Sequence, residues 1–167
     1  LTSDNTEADI LAHQVGLELL DDPTFAAGAR ATLQVLAELG IDTSGIVLND
    51  GSGLSRGNRI SPERLIDVLR AAVETDPEQL WPVYTGLPVA GFDGSLASRF
   101  SAASARPARG AVTGKTGTLT GTSTLAGFVS DRDGQLLMYA VMTNDVNTFA
   151  ASPAIDDVLA RVAGCRC

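Results

Sequence analysis

The chain is poor in lysine. Of its 12 basic residues only one, Lys115, is a lysine and the rest are arginines. No Ser-x-x-Lys sequence therefore exists within these 167 residues, and any serine–lysine nucleophile pair must draw on residues outside them. Histidine is equally scarce: His13 stands alone, which excludes a second imidazole and leaves no basis for a histidine-based catalytic dyad. It falls inside the first helical pattern and reads as a helix-surface or core residue. Cysteine is confined to the end, as Cys165-Arg166-Cys167. Two thiols one residue apart make a poor metal site without partners, and a disulfide between them is a tight, strained ring. Two readings stay open: free thiols at a frayed end, or a bridge from one of them to a segment outside the chain, in an oxidising compartment. No apolar run approaches the roughly 20 residues that cross a bilayer. Positive charge is in deficit, 20 acidic residues against 12 basic ones, with net charge −8 and a pI of about 4.5. Such a surface repels phosphate backbones and argues against nucleic acid as a partner. Leu1-Thr2-Ser3-Asp4-Asn5 does not read as the charged region of a signal peptide. The expectation is of an excised fragment.

What is present suggests one domain with a substantial core, since 44% of the residues are hydrophobic. Residues 5–20 carry Ile10, Leu11, Val15, Leu17, Leu19 and Leu20 at mostly helical spacing, with Asp4 and Glu7 as N-cap and capping box. Asp21-Asp22-Pro23 breaks that helix. Phe25, Ala29, Leu33 and Leu36 predict one face of a second helix, ended by Gly40. Residues 46–48 form a short strand or core segment before the turn-rich Asn49-Asp50-Gly51-Ser52-Gly53. Ser61-Pro62-Glu63 opens a third helix, whose stripe is Leu65, Val68, Leu69, Ala72 and Val73. The glycines and prolines of 81–94 predict mostly loop, and 95–109 a short helix followed by loop. Residues 111–118, 122–130 and 135–143 then turn rich in Thr, Val, Leu, Phe and Tyr, with Asp131-Arg132-Asp133-Gly134 as a hairpin turn. A helix over 152–163 closes the chain. The order predicts an α+β layout, with helices packed on an antiparallel three-stranded sheet. That sheet is a small platform, to which strands from polypeptide outside the chain would add naturally.

Lys115 stands in Gly114-Lys115-Thr116-Gly117-Thr118-Leu119. A phosphate-binding loop needs Gly-x-x-x-x-Gly-Lys-Ser/Thr ahead of a helix. Its first glycine would fall at position 109, which is Arg109, and no helix start follows. On an edge strand the same residues make better sense. Alternation places Lys115 and Gly117 on one face and Thr116 and Thr118 on the other. Gly117, with no side chain, lets a ligand backbone come close. A twisted edge can aim an ammonium, hydroxyls and backbone N–H groups at one extended peptide. Ser3-Asp4-Asn5 offers a hydroxyl for proton transfer and an amide for a carbonyl, and equally a plain helix cap. Asp50-Gly51-Ser52-Gly53-Leu54-Ser55-Arg56 and Leu87-Pro88-Val89-Ala90-Gly91-Phe92-Asp93-Gly94-Ser95-Leu96 each read as loop in isolation.

Taken together and in this order, these four elements resemble the serine penicillin-binding proteins, whose motif set is Ser-x-x-Lys, Ser-x-Asn and Lys-Thr-Gly. The two longer stretches, with Lys-Thr-Gly-Thr-Leu, narrow the resemblance to the class C D-alanyl-D-alanine carboxypeptidase/endopeptidase (PBP4/DacB) family, from Ser3 to about Val141. The resemblance implies a penicillin-binding, transpeptidase-like (β-lactamase-like) fold. Residues 1–167 would be the C-terminal portion of one such domain, its nucleophile borne elsewhere. It implies cleavage of a terminal D-Ala-D-Ala bond of peptidoglycan, and possibly D-Ala-diaminopimelate cross-links, through an acyl-enzyme. The implied partners are stem peptides, β-lactams and the N-terminal portion bearing Ser-x-x-Lys. The setting would be outside the cytoplasm, with no cofactor and no metal. Position by position, Ser3 would relay a proton, Asn5 would bind the substrate's amide carbonyl, and Lys115 would hydrogen-bond Ser3. Thr116 and Thr118 would take the terminal carboxylate, with Gly117 between them. The Thr118 N–H would serve the oxyanion hole, a donor worth about 3 kcal/mol of barrier. Leu54, Arg56 and Thr120 would line a pocket for a diaminopimelate side chain, Arg56 suiting a carboxylate because its guanidinium can grip one with two hydrogen bonds. The chain by itself would be inactive. Competing readings are a serine β-lactamase or esterase of the same fold, and a non-catalytic peptidoglycan-binding relative.

Overall fold

A computed structural model describes residues 1–74 and 77–166. The chain divides into two compact units, Asp4–Ala71 and a second made of Leu1–Ser3 with the chain from Ala72 onward.

The Asp4–Ala71 unit opens with α1 (Asn5–Leu20). Asp4 caps it in extended conformation, its Oδ1 accepting the Glu7 N–H at 3.0 Å, which satisfies one of the donors that a helix start leaves unpaired. Asp21 ends it in the left-handed region at φ 51°. Helix α2 (Phe25–Glu38) is capped by Thr24 and followed by Gly40 at φ 80°. The expected apolar faces are found only in part: Ala29 is buried and Leu33 and Leu36 are half-buried. Ile10, Leu11, Leu17, Leu19, Leu20 and Phe25 are all exposed. The two helices meet instead through small residues and through an edge-to-face contact of His13 with the outer part of Phe25, ring centroids 4.4 Å apart. A Cβ on Gly16 would lie 2.7 Å from the Gly28 nitrogen, and one on Gly28 2.6 Å from the Ala12 carbonyl. Counting large side chains could not reveal a contact made by missing ones. Val47 pairs with Arg59 in an isolated bridge around the turn-rich loop. Helix α3 (Pro62–Glu74) starts at the expected Ser61-Pro62, with the Ser61 hydroxyl accepting the Arg64 N–H.

The other unit carries α4 (Pro77–Thr85), two short 3-10 turns (Gly94–Leu96 and Arg106–Ala108), and strands β1 (Val112–Leu119), β2 (Thr122–Ser130) and β3 (Leu136–Thr143). Helix α5 (Thr148–Ala163) completes it. The sheet is antiparallel in the order β1-β2-β3, as the alternating pattern predicts. Two boundaries differ from expectation. Residues 81–85 continue α4 although Pro82 lies inside it. Trp81 stacks on Tyr84, which meets Phe128 of β2 edge-on at 4.9 Å, and this packing outweighs the proline's lost donor. Helix α5 begins at Thr148 and not at Ser152, because the Asn147 side chain accepts the Phe149 N–H. Pro153 therefore lies within the helix, and 95–109 holds 3-10 turns where a short helix was expected. Cys165 is disulfide-bonded, which corrects the free-thiol reading for that residue; Cys167 lies outside the described residues.

The core forms where α5 lies on one sheet face. Ile155 and Leu159 pack with Val112, Leu125, Val129, Leu96 and Phe100, most of them fully buried. Each such side chain stabilises by about 1.5–3 kcal/mol. One polar cluster interrupts this layer. Asp156 of α5, buried, accepts from Arg99 Nε and Nη2, the shortest contact being 2.6 Å, and from the Phe100 N–H at 3.0 Å.

Candidate active site

Strand β1 is a sheet edge, and only part of it is covered. The segment 88–90 lies along its first half: Gly114 N–H donates to the Pro88 carbonyl at 3.0 Å, Ala90 N–H to the Val112 carbonyl, and Val89 bridges Thr113. That cover stops at Gly114. Because Gly114 N–H points away from β2, the two-residue period aims the N–H groups of Thr116 and Thr118 the same way. They emerge onto an edge that no strand covers among the described residues.

The chain's opening residues lie against this opening. Ser95 N–H donates to the Leu1 carbonyl at 3.2 Å, and Ser3 takes up a left-handed backbone conformation at φ 60°, unusual for a residue with a Cβ. Its hydroxyl accepts from Lys115 Nζ at 2.7 Å. The ammonium also donates to the Thr116 carbonyl at 2.7 Å, leaving its third proton without a partner among the described residues. Partial loss of water around the amine lowers its pKa below the ordinary 10.5.

On the opposite face, the Thr116 hydroxyl donates to Ser95 Oγ at 3.0 Å. Ser95 thus ties the opening segment to the strand through its backbone and its side chain. The sequence reading did not single it out, although it lies in the Asp93-Gly94-Ser95 stretch; nothing local marks that serine as one that touches β1. Asp93 Oδ1 holds the same loop by accepting the Val89 N–H at 2.6 Å. For Gly117 the structure supplies a nearer reason than ligand approach: a Cβ there would collide with the Thr124 hydroxyl of β2, which bonds the Gly117 carbonyl. Thr120 follows the strand with hydrogen-bonding or ionic contacts of its own.

Asn5, Leu54 and Arg56 belong to the other unit. Asn5 is the first residue of α1 and is exposed. Leu54 and Arg56 are exposed on a loop built around Asp50. Partial burial works against ionisation of that carboxylate. The Asn58 amide (2.7 Å) and the Ser55 (2.6 Å), Gly53 (3.0 Å) and Leu54 N–H groups together outweigh it and hold its pKa below the usual value. Asp9 of α1 fastens the loop by accepting the Gly51 and Ser52 N–H groups. Among the described residues no group of three His, Cys, Asp or Glu side chains could hold a metal ion.

The sequence pattern of the D-Ala-D-Ala carboxypeptidase 3 (S13) family matches residues 1–164. The chain belongs to that family. It is 39% identical over 166 residues to the carboxypeptidase DacB of Mycolicibacterium smegmatis, covering 99% of this chain and 36% of the relative. It is 37% identical over 163 residues to the D-alanyl-D-alanine carboxypeptidase of Actinomadura sp. strain R39, covering 95% of this chain and 29% of that one. The S13 chain thus spans about a third of the length of these relatives. Its fold superposes on penicillin-binding protein 4 (dacB) of Haemophilus influenzae, solved with a β-lactam bound, with a TM-score of 0.84 at 28% identity, covering 96% of this chain and 38% of the other. The family expected from the four motifs and the penicillin-binding α+β fold are both found.

Proposed function

We propose that residues 1–167 are the C-terminal portion of one transpeptidase-like domain, in a serine D,D-peptidase of the bacterial cell wall that works outside the cytoplasm. The observation that carries this reading is the 2.7 Å contact of Lys115 Nζ with Ser3 Oγ beside an uncovered strand edge. Family membership supports it. The nucleophilic serine, paired with a lysine in Ser-x-x-Lys, comes from polypeptide outside these residues.

In this scheme a stem peptide lies along β1. The Thr118 hydroxyl, and the Thr116 hydroxyl once it turns its proton from Ser95 to the substrate, hold its terminal carboxylate, and the Thr118 N–H receives the developing oxyanion. The external serine attacks the penultimate D-alanine carbonyl, and the C–N bond breaks. Ser3, held by Lys115, passes the proton to the leaving amine. Asn5 binds the substrate's amide carbonyl. Water then cleaves the ester, releasing the shortened peptide and restoring the serine. Lys115 acts as a fixed cation that biases the cleft toward carboxylates. Leu54, Arg56 and Thr120 receive the free end of a diaminopimelate side chain on the acyl side. β-Lactams would acylate the same serine and inhibit the enzyme.

The test is acylation by a fluorescent penicillin. A protein of the relatives' length, carrying Ser-x-x-Lys, takes up the label and releases D-alanine from an acyl-D-Ala-D-Ala peptide. This chain alone does neither. Label on a serine within residues 1–167 overturns the assignment, and rapid loss of label with penicillin turnover points instead to a β-lactamase of this fold.

A further inference from the structure

The loop that carries Leu54 and Arg56 is shaped from within and placed from outside. Asp50 accepts the N–H groups of Gly53 at 3.0 Å and Ser55 at 2.6 Å, and Ser52 Oγ accepts that of Leu54 at 3.4 Å. These partners belong to the loop itself, so they fix its shape and leave its position to other contacts. The N–H groups of Gly51 and Ser52 go elsewhere. Both donate to Asp9 of α1, at 3.1 and 2.9 Å, and both to the same oxygen, Oδ1. Hydrogen bonds to a carboxylate are roughly twice as strong as neutral ones.

Gly51 shows how closely the loop is seated. A Cβ there would lie 2.5 Å from the Ala8 carbonyl oxygen and 2.6 Å from Ala12 Cβ. The loop therefore rests on the turn of α1 formed by Ala8, Asp9 and Ala12, and only a residue without a side chain lets the backbone come so near. Asn5 is the first residue of the same helix, four positions before Asp9. Residues four apart share a helix face, with about 5–6 Å between their Cβ atoms. One helix thus carries Asn5 at its start and, one turn later, the anchor of the loop that bears Leu54 and Arg56.

This deepens the proposed peptidase and rests on the acyl-side roles given there to Asn5, Leu54 and Arg56. We infer that Asp9 is a positioning residue for substrate selection: through Gly51 and Ser52 it holds Leu54 and Arg56 in register with Asn5. One substrate is then held at its amide carbonyl and at its side-chain end together. Asp9 touches no substrate in this scheme. It keeps the loop ordered before binding, so that substrate does not bear the cost of ordering it. A loosened loop weakens binding of the side-chain end alone, and the loss falls on KM while kcat is kept.

The experiment uses the full-length enzyme and two acyl peptides ending in D-Ala-D-Ala. In one the preceding residue is diaminopimelate with its far end free. In the other it is norleucine, which keeps the carbon chain and lacks the terminal charges. Wild type favours the first. Asp9→Ala should raise KM for the diaminopimelate peptide by about tenfold with kcat within about twofold, and leave both constants for the norleucine peptide within about twofold. Asp9→Asn keeps an oxygen that can accept both N–H groups, and should stay within about threefold of wild type on either peptide. Gly51→Ala leaves the carboxylate in place but drives the loop away from Ala8 and Ala12, and should reproduce the selective rise in KM. D-Alanine release from the norleucine peptide shows that each variant is folded. A preference that survives both Asp9→Ala and Gly51→Ala overturns the inference. So does a loss shared equally by the two peptides, or one that Asp9→Asn fails to restore. A wild-type enzyme that treats the two peptides alike overturns instead the acyl-side roles of Leu54 and Arg56, and failure to release D-alanine overturns the peptidase reading, each taking this inference with it.

Discussion

Lys115 Nζ and Ser3 Oγ lie 2.7 Å apart although 112 positions separate them in the sequence. Two features make that contact. Ser95 holds the opening residues against the Gly94 turn through the Leu1 carbonyl, and the left-handed backbone of Ser3 turns its hydroxyl toward the strand while the chain goes on to Asp4, the cap of α1.

The amine's lowered pKa can be read directly, because Lys115 is the only lysine. Its side-chain CH2 resonance in a carbon–proton correlation spectrum needs no assignment. It should titrate below 10.5 in the folded protein and at the ordinary value in denaturant. Between the two pKa values the unfolded chain binds more protons, so stability rises with pH through that window. A folded titration at or above 10.5 contradicts the desolvated amine.

Ser3 separates conformation from chemistry. Ser3→Gly relieves the left-handed strain, and Ser3→Ala retains it; both remove the hydroxyl. In the full-length enzyme both should lower the rate of penicillin acylation by about 10²–10⁴, while Ser3→Gly melts at or above the wild-type temperature. Unchanged acylation in either variant removes Ser3 from proton transfer.

Tyr139 spans two glycines. Gly114, Gly127 and Tyr139 stand in one cross-strand row, the Tyr139 hydroxyl donates to the Thr113 carbonyl at 2.9 Å, and a Cβ on Gly114 would collide with that hydroxyl and lie 2.9 Å from the Ala126 carbonyl. Burial pushes the phenol's pKa well up, so it stays protonated and donating. Tyr139→Phe should cost about 1 kcal/mol and Gly114→Ala about 1–3 kcal/mol. The double variant should be more stable than the sum of the two losses predicts, as measured by urea denaturation, because the first change removes an atom that the second strikes. Strict additivity contradicts the contact.

The Arg99–Asp156 pair is more than half withdrawn from water on both sides, at 18% and 8% side-chain exposure. Asp156→Ala leaves a guanidinium uncompensated and the Phe100 N–H unpaired. The expected loss is about 3–5 kcal/mol of unfolding free energy. A loss under about 1 kcal/mol would place this pair with weak surface pairs.

Acid should loosen the loop that carries Leu54 and Arg56. Asp50 has a folded pKa below its unfolded 3.8, so its stabilising contribution is complete above the unfolded value and fades as pH falls through the folded one. Amide exchange at Gly53 and Ser55 should therefore accelerate below about pH 4, and Asp50→Asn should remove that pH dependence. Exchange that ignores pH in the wild-type loop contradicts the role of Asp50.

Much of the fold was legible in the order of residues, because strand alternation, helix caps and turn glycines act over a few positions. Asp4, Ser61-Pro62 and the three strands around Lys115 are cases in point. Where the reading missed, longer-range packing decided. The α1–α2 contact runs in part through Gly16 and Gly28, which carry no apolar signal, and α4 persists through Pro82 because Tyr84, backed by Trp81, packs on Phe128 of the sheet. The site divides in the same way. Residue order alone assembled Ser-x-Asn and Lys-Thr-Gly-Thr with their flanking stretches, and so the family, because those chemical groups are read from neighbouring positions. Only the tertiary structure decided that Ser3 meets Lys115, that Ser95 links Leu1 to Thr116, and that β1 is left uncovered beyond Gly114 among the described residues. Those relations join segments far apart in the chain, and only packing fixes such distances.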